Sequence, residues 1–264
     1  MHISVIGAGW LGTPLALHLA KHGHTLDVTK RHDGMLNKHI KAHAFDWKLE
    51  HSWPNLAFAQ QSDVCVLNIP GGRRSQDLSD YTVAIQRLVQ HLRDLGCKHL
   101  LFISSTSVYG EASGRIIETT EPKPLTASAR ANLAIEHAVR DIYAAHGTVL
   151  RLVSLVGHDR HPVVHLAGKE LDDAHSPVNL IHQADVIHAI SRIIDTSLWG
   201  ETLHLCCEKH PTREEYYSAC ARQRGLAIPT FTQHQQATRW IDASQTLATL
   251  GLTLQFPDPM DFCQ

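Results

Sequence analysis

The sequence predicts an α/β protein: a doubly wound parallel sheet followed by a smaller carboxyl-terminal lobe. Three observations predict it. The chain opens on a short apolar run, Met1 to Ile6, that feeds directly into Gly7-Ala-Gly9-Trp10-Leu11-Gly12. Strand-like and helix-like segments then alternate over the first two-thirds, joined by short connections. The stretch Asp63-Val-Cys-Val-Leu-Asn-Ile69 is almost wholly apolar, as a central parallel strand covered on both faces must be.

Each element has its own local reason. In the G-x-G-x-x-G turn, Gly7 permits the tight exit from the first strand and Gly9 lets the backbone approach a pyrophosphate. Gly12 lets the next helix pack on the sheet. In that helix Leu11, Leu15, Ala16 and Leu19 recur at helical spacing, Pro14 falls in the first turn and Gly23 is the stop. Thr25 to Thr29 reads as the second strand, and Lys41 to Phe45 as a short third one ending at Asp46-Trp47. After the fourth, at 63–69, Ser79 to Leu95 is a helix closed by Gly96, and Leu100 to Ser104 is the fifth strand. Ala127 to Ala145 is the next helix, closed by Gly147, and Thr148 to Val153 is the sixth strand.

The last third changes character. Residues 157–177 are loop-like and rich in His, Asp and Gly. A helix falls within 179–196, a strand at 202–206, a helix at 213–225, and the tail 251–264 is irregular. The expected division is a dinucleotide-binding Rossmann domain at 1–156 and a substrate-side lobe at 157–264, with 179–206 returning to the sheet.

Composition narrows the partners. Lys plus Arg nearly balance Asp plus Glu, for a formal charge of −2, so no broad basic face for nucleic acid is implied. No apolar run approaches the ~18 residues a membrane helix needs. The six cysteines form no C-x-x-C pair, and Cys65 and Cys206 sit in strand-like apolar runs; the expectation is a reduced, cytoplasmic setting. Histidine is abundant, at 21 residues. The i, i+4 pairs His18/His22, His39/His43 and His161/His165 are what chance gives at that frequency, and none brings a third ligand, so no metal site is expected.

The residues just after the second strand indicate the cofactor form. A fold of this kind that uses NAD places an acid about 20 residues past the third glycine, on the adenosine ribose. Here that region holds Lys30 and Arg31, which suit a 2′-phosphate, so NADP is expected in preference to NAD. Asp27 lies inside the strand and is a poor substitute for the acid. Trp10, Leu11, Asp46, Ile69 and Pro70 join the cofactor candidates, with Arg73 after the fourth strand; Arg74 beside it shares that position at the sheet's carboxyl edge.

After the fifth strand comes Ser104-Ser105-Thr106-Ser-Val-Tyr109-Gly110. Together with the glycine turn, Leu150-Arg-Leu, Val156-Gly-His-Asp-Arg160-His161-Pro162 and Val178-Asn179-Leu-Ile-His182-Gln-Ala-Asp185, this resembles the extended and atypical short-chain dehydrogenase/reductases, in the NAD-dependent epimerase/dehydratase branch. The resemblance covers nearly the whole chain. It implies a catalytic hydroxyl at Ser105, with Thr106 as the neighbouring candidate, and Ser104 at the cofactor. It also implies a small-molecule substrate and a homodimer through the helices at 79–95 and 127–145.

The departure from that family is specific. Its members carry Tyr-x-x-x-Lys on the helix after this loop. With Glu136 as the helix marker, Ser128 stands at the Tyr position and Asn132 at the Lys position. None of the tyrosines at 81, 109, 143, 216 and 217 is followed four residues later by lysine. An alcohol is a far weaker acid than a phenol and Asn132 brings no charge, so Ser128 is a poor proton relay and is kept as a cofactor contact. Tyr109, His161 and His182 are the alternative acid/base candidates. Arg160, Lys169 and Asn179 are the candidate substrate contacts. Two functions stay open: an NADP-dependent oxidoreductase or epimerase on a small carbonyl or sugar-like metabolite, and a catalytically inactive NADP(H)-sensing protein that regulates a partner.

Overall fold

The computed structural model describes residues 1–72, 77–232 and 238–263. In chain order the regular elements are β1 (His2–Ile6), α1 (Gly12–Lys21), β2 (Thr25–Lys30), β3 (Gly34–Met35), β4 (Lys41–Ala44), a 3-10 run Glu50–Gln61, β5 (Val64–Leu67), α2 (Ser79–Asp94), β6 (His99–Ser105), a 3-10 turn Thr106–Tyr109, β7 (Gly114–Ile116) and α3 (Ala127–Tyr143). They continue with β8 (Gly147–Leu152), β9 (Ser154–Val156), α4 (Val163–Leu166), β10 (Glu170–Leu171), β11 (Leu180–His182), α5 (Gln183–Asp195), β12 (Thr202–Leu205), α6 (Arg213–Gln223), β13 (Thr230–Phe231), β14 (Arg239–Ile241), α7 (Ser244–Leu250) and a final 3-10 turn Pro259–Phe262.

The chain divides into two units. The first comprises Met1–Gly110, Pro124–Arg151 and Ile190–Leu203, and the second Glu111–Lys123, Leu152–Ala189 and His204–Gln264. The segment 111–123, which a boundary at 156 leaves in the amino-terminal part, goes with the second unit because its β7 pairs with β14.

The main sheet has eight strands in the order β12-β8-β6-β5-β1-β2-β4-β3. β1 lies parallel to both β2 and β5, and β5 parallel to β6. The order reverses on either side of β1, so the turn after β1 opens at the switch point, where such sheets hold ligands. β3, which the sequence reading did not separate from its loop, is a two-residue strand antiparallel to β4. Ile85, Leu88, Val89 and Leu92 of α2 share one buried cluster with Ile135 and Val139 of α3 and with Leu67, Leu100 and Phe102 of the sheet. Those spacings are the buried stripe of an amphipathic helix.

The second unit is built from short pairs rather than one sheet: β9 with β11, β10 with β13 and β7 with β14. α6 starts with a reciprocal cap in which Thr212 and Glu215 satisfy each other's backbone N–H. The cysteine spacing gave no reason to pair any two, yet Cys220 on α6 is joined by a disulfide to Cys263. Cys65, Cys97, Cys206 and Cys207 are free and buried. No described helix is long and apolar enough to cross a membrane.

Candidate functional site

The first glycine leaves β1 at φ +106°, a conformation that side chains rarely adopt, and a Cβ there would collide with the carbonyl oxygen of Asn68. The turn is fastened to β2: Gly7 N–H donates to Thr29 Oγ1 and Ala8 N–H to Thr29 O, both at 2.9 Å. At Gly12 a Cβ would collide with Gly7 O, so the third glycine sets how closely α1 approaches the strand. Gly9 is different. No atom of the chain lies within 4 Å of where its Cβ would be, so internal packing does not require glycine there. α1 begins without a side-chain cap and without an acid in its first turn. Its amino end therefore keeps the dipole uncompensated by any side chain, which suits an anion, although Thr13 N–H is already bonded to Gly9 O and Pro14 has no N–H.

Lys30 and Arg31 are exposed at the carboxyl end of β2. Phe45 N–H donates to Lys30 O at 2.7 Å, which fixes the backbone there and leaves the side chain out of the contact. Asp27 is occupied: its carboxylate meets His2 Nε2 at 2.8 Å and His43 Nε2 at 2.6 Å. Asp46 is half-buried and accepts from Lys48 N–H at 3.0 Å. Trp10 and Ile69 are half-buried, Leu11 is buried and Pro70 is exposed; Ile69 O accepts from the Tyr81 hydroxyl at 2.7 Å. Arg73 and Arg74 lie outside the described residues.

The serine-rich end of β6 splits into two roles. Ser104 Oγ donates to Glu136 Oε1 at 2.6 Å. Glu136 in turn holds Arg151, through Nε at 3.0 Å and an Nη at 2.6 Å, and Arg151 donates to the Tyr109 hydroxyl at 3.0 Å. Its guanidinium also lies 4.9 Å from the Tyr109 ring. All four side chains are buried, which takes Ser104 away from the cofactor role expected of it and Tyr109 away from the acid/base role. Ser105 stays half-buried and caps the following turn by accepting from Ser107 N–H at 3.1 Å, while Thr106 is buried. Ser128 is half-exposed, with Oγ 3.1 Å from Thr126 Oγ1. The Glu136–Arg151 pair was missed as a pair. Its signal was present: an arginine inside the otherwise apolar Val149 to Val153 needs a buried partner.

In the second unit, His161 is only 3% exposed. Its Nδ1 accepts from Val163 N–H at 3.2 Å, so its Nε2 carries the proton and donates to the Tyr216 hydroxyl at 2.7 Å. Burial, aided by the nearby Arg224 charge, pushes its pKa down to about 4, so it is neutral at pH 7. His182 is half-buried, its Nδ1 accepting from Ala184 N–H at 3.3 Å and its ring 4.1 Å from that of Phe256. Burial lowers its pKa, opposed by Asp185. Asn179 is turned inward: its amide donates to Arg239 O at 3.2 Å and accepts from Ile241 N–H at 2.8 Å, clamping β14. That takes its polar atoms away from the substrate role. Arg160 and Lys169 are exposed.

A cavity of about 660 Å³ in the second unit is lined by Cys206, Glu208, His210, Trp240 and Asp242 among others, and by none of the candidate residues. Of its lining, Asp242 pairs with Arg115 and His210 with Val178 O. Among the described residues no group of three or more His, Cys, Asp or Glu could hold a metal ion.

Residues 3–197 match the model of the NAD dependent epimerase/dehydratase family. Over 268 aligned positions the chain is 32% identical to Protein YeeZ of Escherichia coli strain K12, spanning 98% of this chain and 97% of that one. Among solved structures it is similar to UDP-glucuronic acid 4-epimerase from Bacillus cereus in complex with NAD, with TM-score 0.83 and 19% identity over 100% of this chain and 96% of the other. It is also similar to MoeE5 in complex with UDP-glucose and NAD, with TM-score 0.81 and 20% identity over 99% and 96%.

Proposed function

The chain belongs to the NAD-dependent epimerase/dehydratase family, and from that premise we propose that it is an NADP(H)-binding oxidoreductase or epimerase acting on a small carbonyl or sugar-like metabolite. The observation that carries the reading is the turn at residues 7–12. Gly7 and Gly12 are required by the fold, whereas Gly9 is not, and α1 offers an uncapped, acid-free amino end beside it. A pyrophosphate passing close over Gly9 gives that glycine its reason. Lys30 and Arg31 take the 2′-phosphate; of the neighbouring acids, Asp27 is held by two histidines and Asp33 accepts from Ala44 N–H. Trp10, Leu11, Asp46, Ile69 and Pro70 complete the nucleotide contacts, with Ser128 toward the nicotinamide ribose. Structural relatives are described with NAD, so the preference for the phosphorylated form is specific to this reading.

When bound, the nicotinamide supplies hydride transfer. The chain's own share is the proton. Ser105 positions the reacting oxygen through its hydroxyl, with Thr106 as the neighbouring candidate. Of the two candidate histidines, His182 is favoured as the proton carrier: it is half-buried, whereas His161 is sealed and engaged at both ring nitrogens. Arg160 and Lys169, both exposed, draw in an anionic substrate. NADPH oxidation with a panel of carbonyl and sugar-nucleotide substrates tests this. Ser105→Ala and His182→Gln should each lower kcat by about 10²-fold or more with cofactor affinity unchanged; full activity in either variant removes that residue from the site.

One observation favours a second reading. With Ser128 and Asn132 in place of the family's Tyr and Lys, and Tyr109 held by Arg151 in the core, the usual phenol is missing. The chain would then bind NADP(H) without turnover and report its state to a protein partner. Cofactor binding with no turnover across the panel, and a partner affinity that changes with cofactor, distinguish this from the enzyme. The expected homodimer would use α2 and α3, and sedimentation equilibrium tests it.

A further inference from the structure

The last residues of the chain are held in two unequal parts. Up to Pro257 the tail is tied by main-chain bonds. The buried Asp185 carboxylate accepts Gln255 N–H at 2.7 Å and Phe256 N–H at 3.1 Å. Pro257 O accepts from the backbone of Glu208 at 3.0 Å and of Lys209 at 3.1 Å, and the Cys207 thiol donates to Phe256 O at 3.2 Å.

Beyond Pro257 the anchors thin out. Lys209 and Asp258 form an exposed ion pair at 3.0 Å, a kind worth little. Arg224 Nε donates to Cys263 O at 2.8 Å, and the Cys220–Cys263 disulfide closes the end. Pro259 and Phe262 are buried, and the disulfide is the one covalent tie among the described residues beyond Pro257.

What this end covers is specific. Phe262 is buried, its ring 5.5 Å from that of His182 and 6.5 Å from that of Tyr216. Tyr216 in turn carries the hydrogen bond to His161. The end of the tail is therefore a flap lying against His182 and against Tyr216, the partner of His161.

We propose that the Cys220–Cys263 bond is a two-electron latch on this flap, opened by a dithiol reductant, and that opening it takes Phe262 off His182 and raises that ring's exposure, while Phe256 stays packed against it. In that step the S–S bond breaks and two thiols form. The dithiol gives up two electrons and two protons and closes its own disulfide. The hinge is Pro257, because the main-chain ties on its amino side do not depend on the bond. The flap releases on its own, leaving the rest of the chain folded.

The test uses the full chain purified without reductant, then treated with dithiothreitol. Before treatment the unfolded protein should titrate four thiols, matching the four free cysteines, and six afterwards. On reduction, hydrogen exchange at residues 260–263 should accelerate by roughly tenfold or more, as for a fraying segment. Carbethoxylation of His182 should quicken with it, while the exposed His22 and His51 react at unchanged rates. Cys65 and Cys97 should stay unreactive in the native state. Cys263→Ser should show the open behaviour without reductant and no further response to it. Six thiols before treatment would overturn the proposal. So would unchanged exchange and labelling after reduction, or exposure of Cys65 and Cys97, which would make the bond a lock on the whole fold. None of these readouts involves the dinucleotide, so failure here leaves the cofactor reading intact, and the converse.

Discussion

Glu136 on α3 and Arg151 on β8 form an ion pair sealed inside the first unit, 2.6 Å apart, with side-chain exposures of 0% and 2%. The pair sits between Ser104 and Tyr109, so the serine-rich turn after β6 is set on a charged core rather than an apolar one. Glu136→Ala leaves the guanidinium buried without its partner and should cost about 3–5 kcal/mol of stability in urea unfolding. Replacing both partners, as Glu136→Gln with Arg151→Met, should recover most of that loss. A single-variant cost below about 1 kcal/mol would mean that the pair is wetter than its geometry indicates.

The three glycines should separate by variant. Gly7→Ala forces a side chain into a positive-φ position against Asn68 O, and Gly12→Ala drives one into Gly7 O; both should lower Tm. Gly9→Ala meets no protein atom. It should melt with wild type yet lose dinucleotide affinity by about tenfold or more. Thermal unfolding with and without NADPH reads both effects. A Gly9→Ala protein that binds normally would place the pyrophosphate elsewhere.

This contrast marks how far the sequence could be read. The period-2 and period-3.6 patterns placed β1, α1, β5, α2, β6, α3 and β8, because each buries a continuous face. β3 and the short pairs of the second unit carry no such pattern: at two or three residues, a strand is defined by its partner and not by its own composition. The same limit governs the side chains. The glycine turn is local in sequence and was legible. The ties Ser104–Glu136, Asn179–Ile241 and Cys220–Cys263 join residues 32, 62 and 43 positions apart. They redirect candidates that looked available while the chain was read as a line.

His161 makes a pH prediction. Burial holds its pKa at about 4, below the ordinary value of 6.5. Between these values the unfolded chain binds more protons than the native one. Its contribution is therefore complete above pH 6.5 and is lost as the pH falls toward 4. The full loss is about 3 kcal/mol. His24, His99, His182 and His210 are shifted in the same direction by burial, so wild type alone does not isolate the effect. His161→Gln should unfold with a shallower dependence on pH than wild type between 6.5 and 4, measured as urea stability. Parallel curves would show that the imidazole is not sealed in.

Lys30 and Arg31 should account for nucleotide choice. A hydrogen bond to a charged group contributes about 1.5–3 kcal/mol, so the two cations together should favour NADPH over NADH by about a hundredfold or more. The variant Lys30→Asp/Arg31→Ala should keep its Tm and lose that preference. Retained selectivity would move the 2′-phosphate contact to other residues.

On the proposed reading, the turn at residues 7–12 anchors the diphosphate of a nicotinamide dinucleotide. Calorimetric titration of the wild-type chain with NADPH and then NADH tests it most directly. Saturable one-site uptake of both is expected, tighter for NADPH. The absence of any binding heat with either nucleotide, in protein that melts cooperatively, would contradict it.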